Sequence, residues 1–239
     1  MLKKYILIIV ILITTYKVEA QGYNFNDFGI GVEASRVKSF ADLKNAYENN
    51  AYSVSLIFNY SPYVPVALEF QSGKLTGGGN TIEEDAATRR YSNKYKAAIL
   101  HFDIQLGELM DYSGGGIANI FKHFYFGSGI GGIYNNVDAN RVSMLDPNYK
   151  FPGDDKSVNL MIPFRVGYEI KIYDYNDFPR FGIDIGYRHN ITFGEGLDGY
   201  TDPSSKFKNN APDQYRQISI GLKYNFGTES SYYKSIRSF

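Results

Sequence analysis

Eight times between Phe28 and Phe226, apolar side chains recur at every second position, a period that only an extended strand turns into one continuous face. The runs cover residues 28–34, 52–60, 64–70, 98–106, 124–130, 160–172, 181–187 and 218–226. The sixth is the cleanest. Leu160, Ile162, Phe164, Val166, Tyr168, Ile170 and Ile172 share one parity, against Met161, Pro163, Arg165, Gly167, Glu169 and Lys171 on the other. With its flanks each run reaches roughly ten residues, about what a tilted strand needs to cross a bilayer. An even number of such runs predicts an all-β fold, an eight-stranded antiparallel up-and-down transmembrane β-barrel over residues 21–227.

The opposite parity argues against a soluble sandwich, whose outer face would carry abundant Lys, Glu, Thr and Gln. Here it holds mostly Gly and Ser with isolated charges, which suits the narrow inside of a small barrel. The charges are Glu33, Glu69, Asp103, Glu169 and Asp184 against Arg165, Lys171, Arg188 and Lys223, and they predict a nearly neutral interior ionic network. Connector lengths alternate: residues 36–50, 74–94, 135–158 and 194–214 are long, as extracellular loops are, whereas 61–63 and 173–180 are short, as periplasmic turns are. The connector 107–122 breaks the rule, and its Ile117, Ile120 and Phe121 suggest a helical turn at the membrane edge. Tyr52, Tyr60, Tyr63, Tyr95, Tyr134, Tyr173, Tyr187 and Tyr215 lie near run ends, where aromatic girdles are expected.

The N-terminus reads as a secretory signal peptide over residues 1–20: Lys3 and Lys4, an apolar run at 5–15, then Val18-Glu19-Ala20 as a cleavage site. Those twenty residues contain Lys3, Lys4, Lys17 and Glu19, so 22 basic and 24 acidic residues remain of the 25 and 25 in the full chain. That balance gives no case for nucleic acid. The absence of Cys excludes disulfides, thiolate metal sites and thiol catalysis.

At the last run a motif appears. Ser219, Gly221, Tyr224 and Phe226 resemble the C-terminal signal read by the outer-membrane assembly machinery, although thirteen residues follow Phe226 and predict a short periplasmic tail at 228–239. The whole chain is similar to OmpA/OmpX-like eight-stranded barrels, particularly those of Bacteroidota. Residues 60–65 with 68–73 resemble the second hairpin of that group, and 124–132 its fifth strand. The resemblance implies an outer-membrane location, contact with lipid and lipopolysaccharide, and, for some relatives, association with type IX secretion within an envelope complex.

Motifs for chemistry are weak. Gly127, Gly129 and Gly132 fit G-x-G-x-x-G, but a dinucleotide loop needs a helix after it, and a polar stretch follows. His101, His123 and His189 are the three histidines, and the first two fit an interior contact or a metal pair. Acidic residues at 83–85, 154–155, 198 and 202 do not have the spacing of a calcium loop. Arg89, Arg90, Lys94 and Lys96 could meet lipopolysaccharide phosphates. No catalytic set, metal site or cofactor is predicted. The leading expectation is a non-enzymatic barrel acting through loops and periplasmic contacts. A small pore or carrier and a lipid-modifying enzyme are the alternatives.

Overall fold

The alternating runs fold as strands, and the strands outrun them. In the computed structural model, which describes residues 23–110, 117–201 and 213–232, β1 covers Tyr23–Phe40, β2 Ala46–Tyr47, β3 Asn49–Ser61, β4 Val64–Gly78 and β5 Arg90–Gln105. Then come α1 at Leu106–Leu109, α2 at Ile117–Phe121, β6 at Phe124–Ala139, β7 at Lys156–Tyr173, β8 at Pro179–Phe193 and β9 at Gln214–Tyr232. β2 is a two-residue piece on the end of β4. The other eight pair antiparallel in the order β4-β3-β1-β9-β8-β7-β6-β5, and β4 also pairs with β5, so the sheet closes into a ring. Closure satisfies the wall's backbone groups from within, which a hydrocarbon solvent demands. Among the described residues no helix is long and apolar enough to cross a membrane; the strands do so.

All eight strands turn the expected parity outward. Ile30, Leu56, Phe70, Leu100, Ile130, Phe164, Ile185 and Ile220 are exposed, while Glu69, Asp103, Arg165, Asp184 and Arg188 are buried. Apolar outside and charged inside, the surface matches a bilayer core. Toward the turn end the outer face is aromatic, with Phe28 beside Phe58, Phe124 edge-on to Tyr168 at 4.8 Å and Phe181 beside Tyr224.

The strands are 13 to 19 residues long, more than a crossing needs. The excess stands above the apolar band on the long-loop side, where outward positions become Lys74, Lys94, Asn136 and Lys156. The loops there shorten to 41–48, 79–89, 140–155 and 194–213. The opposite end holds the turns 62–63 and 174–178, the α1–α2 connector, Tyr23 and Tyr232, and is the periplasmic end.

The predicted tail at 228–239 needs correction. Residues 228–232 continue β9 and pair with β1, Tyr23 opposite Tyr232 and Asn26 opposite Glu229. Gly227, at φ +94°, lies opposite a register shift between Asn26 and Phe28, so it makes a bulge within the strand and not its end. Residues 233–239 and the predicted signal peptide at 1–20 lie outside the described residues.

Candidate functional site

The lumen is filled in two layers. The layer nearer the periplasm is ionic, and its partners come from different strands, one pair meeting across the barrel. Arg188 on β8 donates both ends of its guanidinium to Glu69 on β4, at 2.8 and 2.5 Å. Arg165 on β7 donates to Asp103 Oδ2 on β5 at 2.6 Å and to His101 Nδ1 at 2.6 Å. His101 Nε2 lies 3.3 Å from Glu69 Oε2, so the imidazole sits between Arg165 and the Glu69 carboxylate. Lys223 on β9 lies 3.5 Å from both Glu169 and Asp184. Gln105 donates to Glu169 at 2.5 Å, and Gln217 donates to Glu33 at 2.9 Å. Thus Glu33, Glu69, Asp103, Arg165, Glu169, Asp184, Arg188 and Lys223 all lie on the lumen side, and each carboxylate has a donor.

The wall makes this geometry necessary. Arg165 and Arg188 are direct partners in the β7–β8 ladder, and so are Glu169 and Asp184. Like charges side by side repel; Glu69 on the opposite strand β4 and Asp103 on β5 relieve the arginines, and Lys223 on the neighbouring β9 relieves the carboxylates. Glycines clear the space. A Cβ on Gly127 would stand 2.1 Å from Asp103 Oδ1. Gly167 and Gly186, ladder partners, leave room for the Tyr125 hydroxyl, which donates to Asp184 at 3.0 Å. The G-x-G-x-x-G match is therefore strand interior: Gly127 and Gly129 face the lumen from β6. A cavity of about 30 Å³ bordered by Glu33, Glu69, His101, Asp103, Arg165 and Asp184 has room for a water molecule, not for a solute.

The outer layer is apolar. Leu75, Tyr91, Tyr95, Ile99, Ile133, Met161 and Tyr215 form one cluster with Val37 and Val137. This corrects the girdle expectation at three positions: Tyr95 is 1%, Tyr215 0% and Tyr63 2% exposed. All three are odd-numbered in stretches whose outward positions are even, so parity turns them inward. Tyr95 and Tyr215 pack at 5.5 Å, and Tyr215 donates to Gln71 at 3.2 Å, joining the plug to the ionic layer through Gln71 and Gln217. Tyr52, Tyr60, Tyr134 and Tyr187 do face outward, and Tyr173, which follows a register shift at the end of β7, is exposed at the periplasmic rim.

The extracellular mouth is capped by the start of the last loop. Leu197, Asp198 and Tyr200 are buried; Asn93 donates to Leu197 O at 2.8 Å, and the Tyr200 hydroxyl donates to Asn140 Oδ1 at 2.6 Å. Asp213 accepts from Leu197 N at 2.9 Å and Asp198 from Tyr200 N at 2.9 Å. Burial is the main cause that pushes these carboxyls up, Asp198 to about 7 and Asp213 to about 8, and for Asp213 the Asp198 charge adds to it.

At the periplasmic end Tyr63 folds inward under Lys171, whose ammonium lies 4.9 Å from the ring centroid and donates to Pro62 O. His123 packs near Tyr63 and donates from Nδ1 to Gln105 at 3.3 Å, and burial together with the Lys171 and Lys122 charges holds its imidazole neutral. Glu108 of α1 accepts from Ser61 and from Tyr232, binding the connector to β3 and β9. The connector does contain a helical turn at the edge, with Leu109, Ile120 and Phe121 exposed.

The remaining candidates separate. His101 and His123 have different partners, and His189 lies near the outer surface against Gln214. Among the described residues no group of three metal-ligating side chains forms. Asp85 is bound to Arg89 and Glu84 to Asn80 and Thr81, so these carboxylates order their own loop; Asp202 lies outside the described residues. Ser219 and Gly221 face the lumen while Tyr224 and Phe226 face lipid, all in the ladder that closes the ring against β1.

No family model matches the chain, and no curated protein sequence matches it. Among solved structures it is similar to Neisserial surface protein A, at 14% identity over 84% of this chain and 97% of that one, TM-score 0.41. It is also similar to Ail of Yersinia pestis in complex with the heparin analogue sucrose octasulfate, at 12% identity over 83% and 97%, TM-score 0.42. A third is OprG of Pseudomonas aeruginosa, at 12% over 88% and 100%, TM-score 0.34.

Proposed function

We propose that this outer-membrane β-barrel is a non-enzymatic structural or accessory component of an envelope complex, acting through its two ends. The filled lumen carries the reading: a bidentate Arg188–Glu69 pair beneath a Tyr95–Tyr215–Met161 plug leaves a rigid scaffold whose loops and periplasmic rim are the surfaces available for binding. Exposed Leu109, Ile120 and Phe121 at that rim favour a partner or the membrane edge there. The type IX secretion association implied by the family resemblance is one such complex. Cross-linking in native membranes, with Ile120→Glu and Phe121→Glu as controls, tests this. Partners lost from the variants while the barrel stays heat-modifiable support it, and an unchanged, partner-free barrel rejects it.

The pore reading is tested by conductance in planar bilayers. The plug predicts no steady current from the wild type, and a stable open channel would overturn the scaffold reading.

A further inference from the structure

The outer wall of β4 to β7 changes character in a fixed order from the membrane outward. Phe70, Ala98, Gly132 and Leu160 are successive ladder partners, two small side chains between two large ones. A Cβ on Gly132 would meet nothing within 4 Å. This row is a shallow apolar groove on the lipid face.

Directly above it the wall turns basic. Lys96 pairs with Tyr134, and one step higher Lys74 pairs with Lys94. Lys156 pairs with Asn136 on the same outer surface. All four lysines are exposed, and none is in an ion pair with a described residue. Two lysines directly opposed across a ladder repel unless an anion lies over them. The sequence groups Lys94 and Lys96 with Arg89 and Arg90, but Arg89 is buried against Asp85 and belongs to the loop. Lys74 takes its place.

Higher still the same strands open into a polar cleft of about 420 Å³ lined by Tyr47, Asn80, Glu84, Arg90, Ser92 and Asp138. Its side chains offer donors and acceptors of the kind sugar hydroxyls use, with Arg90 the cation and Glu84 and Asp138 the carboxylates.

We propose that this strip is a binding site for one phosphorylated, acylated sugar lipid of the outer leaflet, the lipid A portion of lipopolysaccharide. An acyl chain lies in the Ala98–Gly132 groove, its phosphates lie over Lys74, Lys94 and Lys96, and its sugar enters the cleft at Arg90. The order of apolar, cationic and polar surface matches that molecule from tail to head. A phospholipid would use the first two but has no disaccharide for the third, and free phosphate would use only the second.

The test is binding by the full barrel in detergent micelles, with diphosphoryl lipid A, monophosphoryl lipid A, phosphatidylglycerol and inorganic pyrophosphate as separate probes. Diphosphoryl lipid A should bind tightest, with affinity falling steeply as salt rises, a readout that needs no variant. The triple change Lys74→Gln, Lys94→Gln, Lys96→Gln should weaken it at least tenfold. Gly132→Phe, which fills open space, should weaken lipid A while leaving pyrophosphate unaffected. Equal binding of phosphatidylglycerol, pyrophosphate as tight as lipid A, or a triple variant that binds normally would each overturn the assignment.

Discussion

Arg188 and Glu69 meet across the lumen, 2.8 and 2.5 Å apart at their two contacts, while the ladder neighbour of Arg188 is another arginine, Arg165. The pair therefore neutralises a repulsion that the wall itself creates. Glu69→Gln leaves a fully buried guanidinium without its anion and should cost about 3–5 kcal/mol. Replacing both partners with Met should cost less than either single change. Urea unfolding in lipid vesicles, followed by the mobility of unboiled samples, reads both. A double variant as unstable as the sum of the singles would mean the contact is incidental.

Ile220 lies near the middle of the outward face of β9, between Arg216 and Phe226, and is 57% exposed. Lipid is its solvent. Ile220→Arg should destabilise the barrel by about 2–4 kcal/mol in vesicles. A surface position in water would tolerate the change within about 0.5 kcal/mol, so the size of the loss distinguishes bilayer from water at this face.

Burial raises the Asp198 and Asp213 carboxyls at the mouth, to about 7 and about 8, where they accept from the Tyr200 and Leu197 amides. A carboxyl raised in the folded state stabilises it fully below its ordinary value near 3.8, and the contribution is lost as pH climbs through 7 and 8. Hydrogen exchange at the Leu197 and Tyr200 amides, corrected for intrinsic rates, should show the cap loosening steadily between about pH 4 and pH 8 and levelling off above that. Asp198→Asn with Asp213→Asn should flatten that dependence. A wild-type cap with uniform protection from pH 5 to 9 would contradict the assignment.

Removing residues 228–239 takes away the ladder from Tyr23 to Asn26 and the 2.6 Å hydrogen bond from Tyr232 to Glu108. At roughly 1 kcal/mol for each net hydrogen bond, the loss should be about 2–4 kcal/mol. The truncated barrel should still shift on boiling but convert at a lower temperature. An unchanged conversion temperature would return these residues to a dispensable tail.

The outward parity of all eight strands was legible because lipid accepts only apolar side chains, and so the sequence repeats the signal eight times. The lumen-facing charges were legible for the same reason. Who pairs with whom was not, because Arg188 reaches Glu69 through the stagger of a closed ring, which no local spacing encodes. The apolar plug was legible in principle: Tyr95, Ile99, Ile133, Met161 and Tyr215 interrupt a parity otherwise made of Gly, Ser and charge. Treating tyrosines by nearness to a strand end, without asking which face they take, misplaced three of them. The capping of the mouth by Leu197 and Tyr200 depends on long-range contacts with Asn93 and Asn140, and sequence spacing is silent on those.

The ladder between β1 and β9 joins residues 23–40 to 214–232 and is what makes the sheet a ring. Seven strands are not a slightly smaller barrel. They are an open sheet with two adhesive margins, each a row of unsatisfied donors and acceptors. Completion is thus a single discontinuous event that waits on the last strand. Until it comes, the facing margins of β9 and β1 are open together, and one and the same act closes both.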